Sequence, residues 1–184
     1  MFNSYLSSVL KQFQYYKSLG EKTFDQVTEE ELFWKPDEEI NSIAIIVKHM
    51  VGNMLSRWTN FLTEDGEKSW RQRDDEFIDS YSTKQELLQQ WELGWDCVFS
   101  ALDQVNDTNL ESVVYIRNQG HTVIEVINRQ LSHYAYHVGQ IVFLGRMIRK
   151  EKWASLSIPK GASKVYNAEK FRQEKGRRHF TDDL

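Results

Sequence analysis

Histidine is the commonest side-chain ligand for transition metals, and three of the five histidines in this chain lie in apolar, helix-forming stretches. His133 and His137 stand four apart in Ser132-His133-Tyr134-Ala135-Tyr136-His137-Val138-Gly139-Gln140. Residues at that spacing lie one above the other on a helical face, so both imidazoles can reach one ion. His49 sits in a second apolar stretch, Ile43-Ala44-Ile45-Ile46-Val47-Lys48-His49-Met50. A third ligand from a packed neighbour completes a three-imidazole set with open coordination positions, the arrangement of a catalytic rather than a structural metal. Taken singly, each histidine also fits a hydrogen-bonded residue at the border of an apolar face. Spacing alone leaves both readings open. His121, just before a helix cap, reads as a turn residue, and His179, in a charged tail, as a solvated one.

Other candidates are weaker. Arg129 lies one turn before His133, where a guanidinium can hold a carboxylate of a thiol cofactor or substrate, or pair with an acidic surface residue. Arg117 and Asn118 can reach the same mouth from the connection before that helix. Tyr134 reads as core packing, and Tyr136 faces either the cleft or solvent. Cys97, between Trp95 and Val98, has no local base and reads as a small buried hydrophobe. The acidic runs Glu29-Glu30-Glu31, Asp37-Glu38-Glu39 and Asp74-Asp75-Glu76 read as caps and solvated faces, not as a carboxylate metal site. No glycine motif cradles a phosphate.

Four long amphipathic segments must position these residues. Phe2, Leu6, Val9, Phe13, Tyr16, Gly20, Phe24 and Val27 recur at helical spacing, with Gly20 on the inner line where a neighbour can approach closely. Thr28 to Glu31 is a capping box for a short turn that ends before Pro36. Ser42 caps the second long helix, with Met50, Met54, Trp58 and Phe61 inward and an end near Gly66. Asp65 to Ser82 reads as a polar surface connection. Ser82 with Gln85 offers a cap for the third helix, which carries Leu87, Trp91, Trp95, Val98 and Leu102 inward. Val113 to Ile116 is β-rich, and Asn118-Gln119-Gly120 signals a turn, which predicts a short hairpin or extended crossover. Thr122 with Glu125 caps the fourth helix, running to about Lys150. From Glu151 the helical period fades into an irregular tail, with Trp153, Val165 and Phe171 among its anchors. The expected fold is all-α, one domain over residues 1–184 with the tail from about residue 151 packed on a helix bundle.

Bulk composition excludes several functions. Lysine and arginine number 23 against 27 aspartate and glutamate, a net charge of −4, which gives no reason to expect nucleic acid as a partner. The longest apolar run beside a motif is far too short to span a bilayer, and no signal peptide is read at the start. A single cysteine accords with a reducing compartment, so a cytoplasmic protein is expected.

The stretches Asn41 to Met50 and Arg57 to Lys68 resemble the DinB/YfiT-like superfamily, and within it most resemble the DUF1572 branch. Gln130 to Ile141 is similar to that family's second histidine motif, and Leu156-Ser157-Ile158-Pro159-Lys160-Gly161 to its C-terminal signature. The resemblance implies a four-helix bundle in which His49, His133 and His137 hold a divalent ion, nickel or zinc. Some members of the superfamily are S-transferases that use a low-molecular-weight thiol such as bacillithiol or mycothiol, while this branch belongs with those of no assigned activity. Relatives are often dimeric, so a homodimer is expected. Two functions follow as expectations: a metal-dependent thiol S-transferase or hydrolase, and a non-catalytic metal- or ligand-binding bundle linked to stress.

Overall fold

The computed structural model describes residues 4–182, so Phe2, the first residue of the expected inner line, lies outside the described residues. The described chain is mostly helical, with six α-helices and one two-stranded sheet. Four helices are long: α1 (Ser4–Phe24), α3 (Ile43–Trp58), α4 (Lys84–Leu102) and α5 (Val123–Arg149). Two are short: α2 (Glu29–Phe33) and α6 (Ser163–Phe171). Both α1 and α3 pack against α4 and α5, so each long helix has two long neighbours. Strands β1 (Val113–Ile116) and β2 (Gln119–Thr122) form an antiparallel hairpin between α4 and α5. No helix among the described residues is long and apolar enough to cross a membrane.

The helix starts follow local chemistry. Capping boxes at Thr28/Glu31 and Thr122/Glu125 satisfy amide donors that the first turn leaves unpaired. Ser42 Oγ accepts the Ile45 amide at 3.2 Å, which fixes the start of the helix that carries His49. The α4 cap falls one residue later than expected. Thr83 Oγ1 accepts the Glu86 amide at 3.1 Å, and the Glu86 carboxylate accepts the Ser82 amide at 2.8 Å. Both registers supply a hydroxyl and an acceptor three residues on. Only this one sets a negative charge in the first turn, where the helix dipole favours it.

Aromatic side chains fill the space between the long helices. Phe13, Trp58, Trp91, Trp95 and Tyr134 are almost wholly excluded from solvent. Their rings meet edge to face, with Phe13 and Trp58 centroids 6.3 Å apart and Trp95 and Tyr134 centroids 5.6 Å apart. The polar tip of Tyr134 is satisfied: its hydroxyl accepts the Trp58 indole N–H at 2.9 Å and donates to Asn53 Oδ1 at 3.2 Å. Gly20 lies on the buried line of α1 because Trp91 occupies the space where a Cβ would sit, 2.5 Å from the ring.

Five expectations are corrected. α3 stops at Trp58 rather than near Gly66, because Asn60 takes a left-handed backbone conformation (φ 48°) and turns the chain. The hairpin turn is Arg117-Asn118, both at positive φ, not Asn118-Gln119-Gly120. Arginine has little intrinsic preference for that conformation; Asp65 supports it by accepting both turn amides at 2.8 Å. The tail is not wholly irregular, since it contains α6, and Val165 and Phe171 do not anchor it but are exposed. Trp153 packs over Gly145 instead, and residues 179–182 return to α1. There His179 lies 3.1 Å from Ser8 Oγ, Phe180 meets Tyr15 edge-on and Asp182 pairs with Lys11, so His179 is not a freely solvated side chain. Finally, the stretch from Asp65 to Ser82 is more than a surface connection. Its 3-10 turn Asp74–Phe77 buries Glu76 against α3.

Candidate metal centre

His49 from α3 and His133 and His137 from α5 come together, with one ring nitrogen of each lying within 4.8 Å of the others. His49 is buried and the other two are half-buried. The α5 pair lies on one face, as its spacing requires, with the two Nε2 atoms 3.0 Å apart. Two nitrogens that share one ion at about 2.0–2.1 Å are separated by roughly 2.8–3.4 Å, depending on the angle at the metal. The α5 pair therefore already has the separation of two ligands to one ion.

Hydrogen bonds fix which nitrogen each ring offers. His49 Nδ1 donates to Glu76 Oε2 at 2.9 Å, and His137 Nδ1 donates to Gln140 Oε1 at 2.9 Å. Each leaves its Nε2 unprotonated, that of His137 within hydrogen-bond reach of His133 Nε2. Burial, reinforced by the neighbouring His137 and His49 rings and by Arg57 and Arg71, pushes the His133 pKa down to about 3. Burial also lowers that of His137; the Gln140 bond opposes this shift and His49 adds to it. Both rings are neutral at physiological pH, which is the form that binds a metal.

Glu76 and Gln140 carry roles that sequence reasoning did not assign. Gln140 was visible as the residue three past His137 on the same helix. Glu76 reads as the end of an acidic run, yet it is 5% exposed while Asp74 and Asp75 face solvent. Burial alone would raise the Glu76 pKa, but the bonds from His49 and Arg71 outweigh it and hold the carboxyl below its ordinary range. Arg71 grips the carboxylate with two donors, Nε to Oε1 at 2.7 Å and Nη2 to Oε2 at 2.9 Å.

The remaining candidates lie elsewhere. Arg129 is exposed and outside the histidine group. Arg117 pairs with Glu67 at 3.0 Å, and Glu67 also meets Arg71, so the hairpin reaches the site through a chain of charges rather than by direct contact. Tyr134 is core, and Tyr136 is exposed with its ring 5.0 Å from that of His137. Cys97 is half-buried beside Thr59, and burial pushes its thiol pKa up, away from nucleophile behaviour. His121 lies in β2 rather than in the turn. Next to the histidines an open cleft of about 590 Å³ runs between the start of α3 and α5, lined by Ile40, Ile46, Gln140, Phe143 and Met147 among others.

The family described as "Protein of unknown function (DUF1572)" matches residues 1–162, which include all three histidines, Glu76 and Gln140 and end just before α6. No curated protein and no solved structure matches the chain. On a match that covers most of its length, the chain belongs to the DUF1572 family.

Proposed function

We propose that this protein binds one divalent ion, nickel or zinc, through His49, His133 and His137, on a DinB/YfiT-like four-helix bundle. The observation that carries the reading is the convergence of three imidazole nitrogens from two helices, with Nδ1 of two rings already engaged. The donor set fits such an ion: neutral nitrogen ligands, a carboxylate behind one ring and an amide behind another. The pairing of α1 and α3 with α4 and α5 supports the bundle.

A bound ion of this kind supplies Lewis acidity to a thiol or water in its open positions. The chain's own residues do the rest. Glu76 and Gln140 orient two rings, and the neighbouring cleft offers an apolar small molecule a place beside them. The proposed activity is thiol S-transfer or hydrolysis, with a low-molecular-weight thiol as cosubstrate in the first case. Arg129, exposed one turn from His133, is kept as a contact for a carboxylate of that thiol. We also propose a cytoplasmic homodimer: the single cysteine accords with a reducing compartment, and exposed apolar side chains at Ile40, Tyr136 and Phe143 leave a face for a second copy. The alternative is a non-catalytic binding bundle, favoured because the carboxylate at the histidines, Glu76, is already bound by His49 and Arg71 and is not a free base.

Metal analysis of protein purified without a histidine tag tests the site. One nickel or zinc per chain is expected, lost in His137→Ala, which leaves the helix intact because alanine is the best helix former. Stoichiometric metal in His137→Ala, or none in the wild type, would sink the assignment. Turnover of model electrophiles with bacillithiol, glutathione or coenzyme A then separates the enzyme from the binding protein. In the enzyme, Cys97→Ser retains activity.

A further inference from the structure

We propose that Glu76 is the positioning residue of the metal centre, and that the 3-10 turn Asp74–Phe77 exists to deliver its carboxylate to His49. The inference rests on the three-histidine reading and adds to it a residue from outside the two ligand helices.

Several features converge on this carboxylate. It is nearly excluded from water, which is costly for a carboxylate unless it is paired and hydrogen-bonded. Its partners are His49 Nδ1 at 2.9 Å and the two donors of Arg71, whose side chain is itself only 2% exposed. Arg71 balances the charge, and the His49 bond gives the buried carboxylate a direction. Space for it is left on α3, where a Cβ on Gly52 would lie 2.4 Å from Glu76 Oε1. His49 and Gly52 are three apart and share one face of α3, so one helical face supplies both the ring and the notch for its partner.

The turn is fastened around the same histidine. Phe77 stacks on the His49 ring, with centroids 4.8 Å apart and planes 27° from parallel. Lys48, next to His49, donates to the carbonyls of Asp75 and Ile78. The ring is thus fixed in rotation by Phe77 and in tautomer by Glu76. A carboxylate on Nδ1–H also makes the opposite nitrogen a better donor to a cation. His137 has only the neutral amide of Gln140 behind it. The two outer contacts are therefore unequal, a charged carboxylate behind His49 and a neutral amide behind His137.

Cobalt(II) titration followed by visible absorption, with chelator competition for affinity, tests the proposal on wild type, Glu76→Gln and Glu67→Gln. The last variant breaks the pairing of Glu67 with Arg57, Arg71 and Arg117 but leaves the His49 contact in place. Glu76→Gln keeps the volume and an acceptor oxygen but removes the charge. The expected result is a loss of about 10–100-fold in cobalt affinity with an altered absorption band in Glu76→Gln. Glu67→Gln should stay within about threefold of wild type at unchanged band shape. Wild-type affinity in Glu76→Gln, or an equal loss in Glu67→Gln, overturns the role of Glu76 and leaves the histidine site standing. A wild-type protein that takes up no cobalt overturns the metal reading and this inference together.

Discussion

His133 bears the largest cost of the site's construction. Its ring is held neutral down to about pH 3, against an ordinary value of 6.5, chiefly by burial and then by the neighbouring rings and arginines. Once unfolded, the same ring takes a proton near pH 6.5. The unfolded chain therefore binds more protons than the folded one between those values, and stability falls as pH falls through that window. Above it, His133 makes stability no more pH-dependent. The urea midpoint of metal-free protein should thus decline from about pH 6.5 downwards, and His133→Gln should flatten that slope. Equal slopes in the two proteins would mean that His133 is not a buried neutral ring. Glu76 acts in the same direction at lower pH, since its folded-state pKa is depressed and its contribution is lost as it protonates. The histidines were legible because helical geometry turns a spacing of four into a shared face. Glu76 was not, because Asp74 and Asp75 beside it are solvated, and what buries the third acid lies elsewhere in the chain: the missing side chain of Gly52 and the donors of His49 and Arg71.

At the scale of elements, the α1–α4 seam depends on Gly20. A methyl group there meets the Trp91 ring at 2.5 Å, and Trp91 is locked among Phe24 and Trp95. Gly20→Ala gains about 0.8–1.0 kcal/mol of helix propensity but overpacks the core at a cost of about 1–3 kcal/mol. The expected net effect is destabilisation, read as a lower urea midpoint at unchanged m-value. A stabilised variant would show that α1 can shift away from Trp91. Caps at Thr28, Ser42 and Thr122 were legible because hydroxyl, acceptor and helix start lie within four residues. The hairpin turn and the tail were not, because their partners are remote. Asp65 supports Arg117 and Asn118 from across the fold, and Ser8, Lys11 and Tyr15 receive His179, Asp182 and Phe180. α6 was missed for a different reason: none of its side chains is fully buried, so no line of core residues marks it in the sequence.

At the scale of the whole molecule, one of the exposed apolar regions borders the candidate site. Ile40, Tyr136 and Phe143 are each about half exposed or more, and all three border the cleft beside the histidines. A second copy that buries this region would form a two-fold interface. Sedimentation at micromolar concentration should then give a dimer, and Phe143→Glu should return it to monomer. A wild-type monomer under the same conditions would end the dimer proposal. A different consequence follows from how the three histidines are distributed along the chain. His133 and His137 become neighbours as soon as α5 winds, whereas His49 is separated from them by all of α4 and the hairpin. That span must close before the third ring arrives, and closure carries an entropic cost that a local pair does not. A partly synthesised chain carries His49 and Glu76 with nothing opposite them. The complete three-nitrogen group therefore forms only once α3 and α5 have docked, and a cation that demands all three rings would be captured only by chains in which they have.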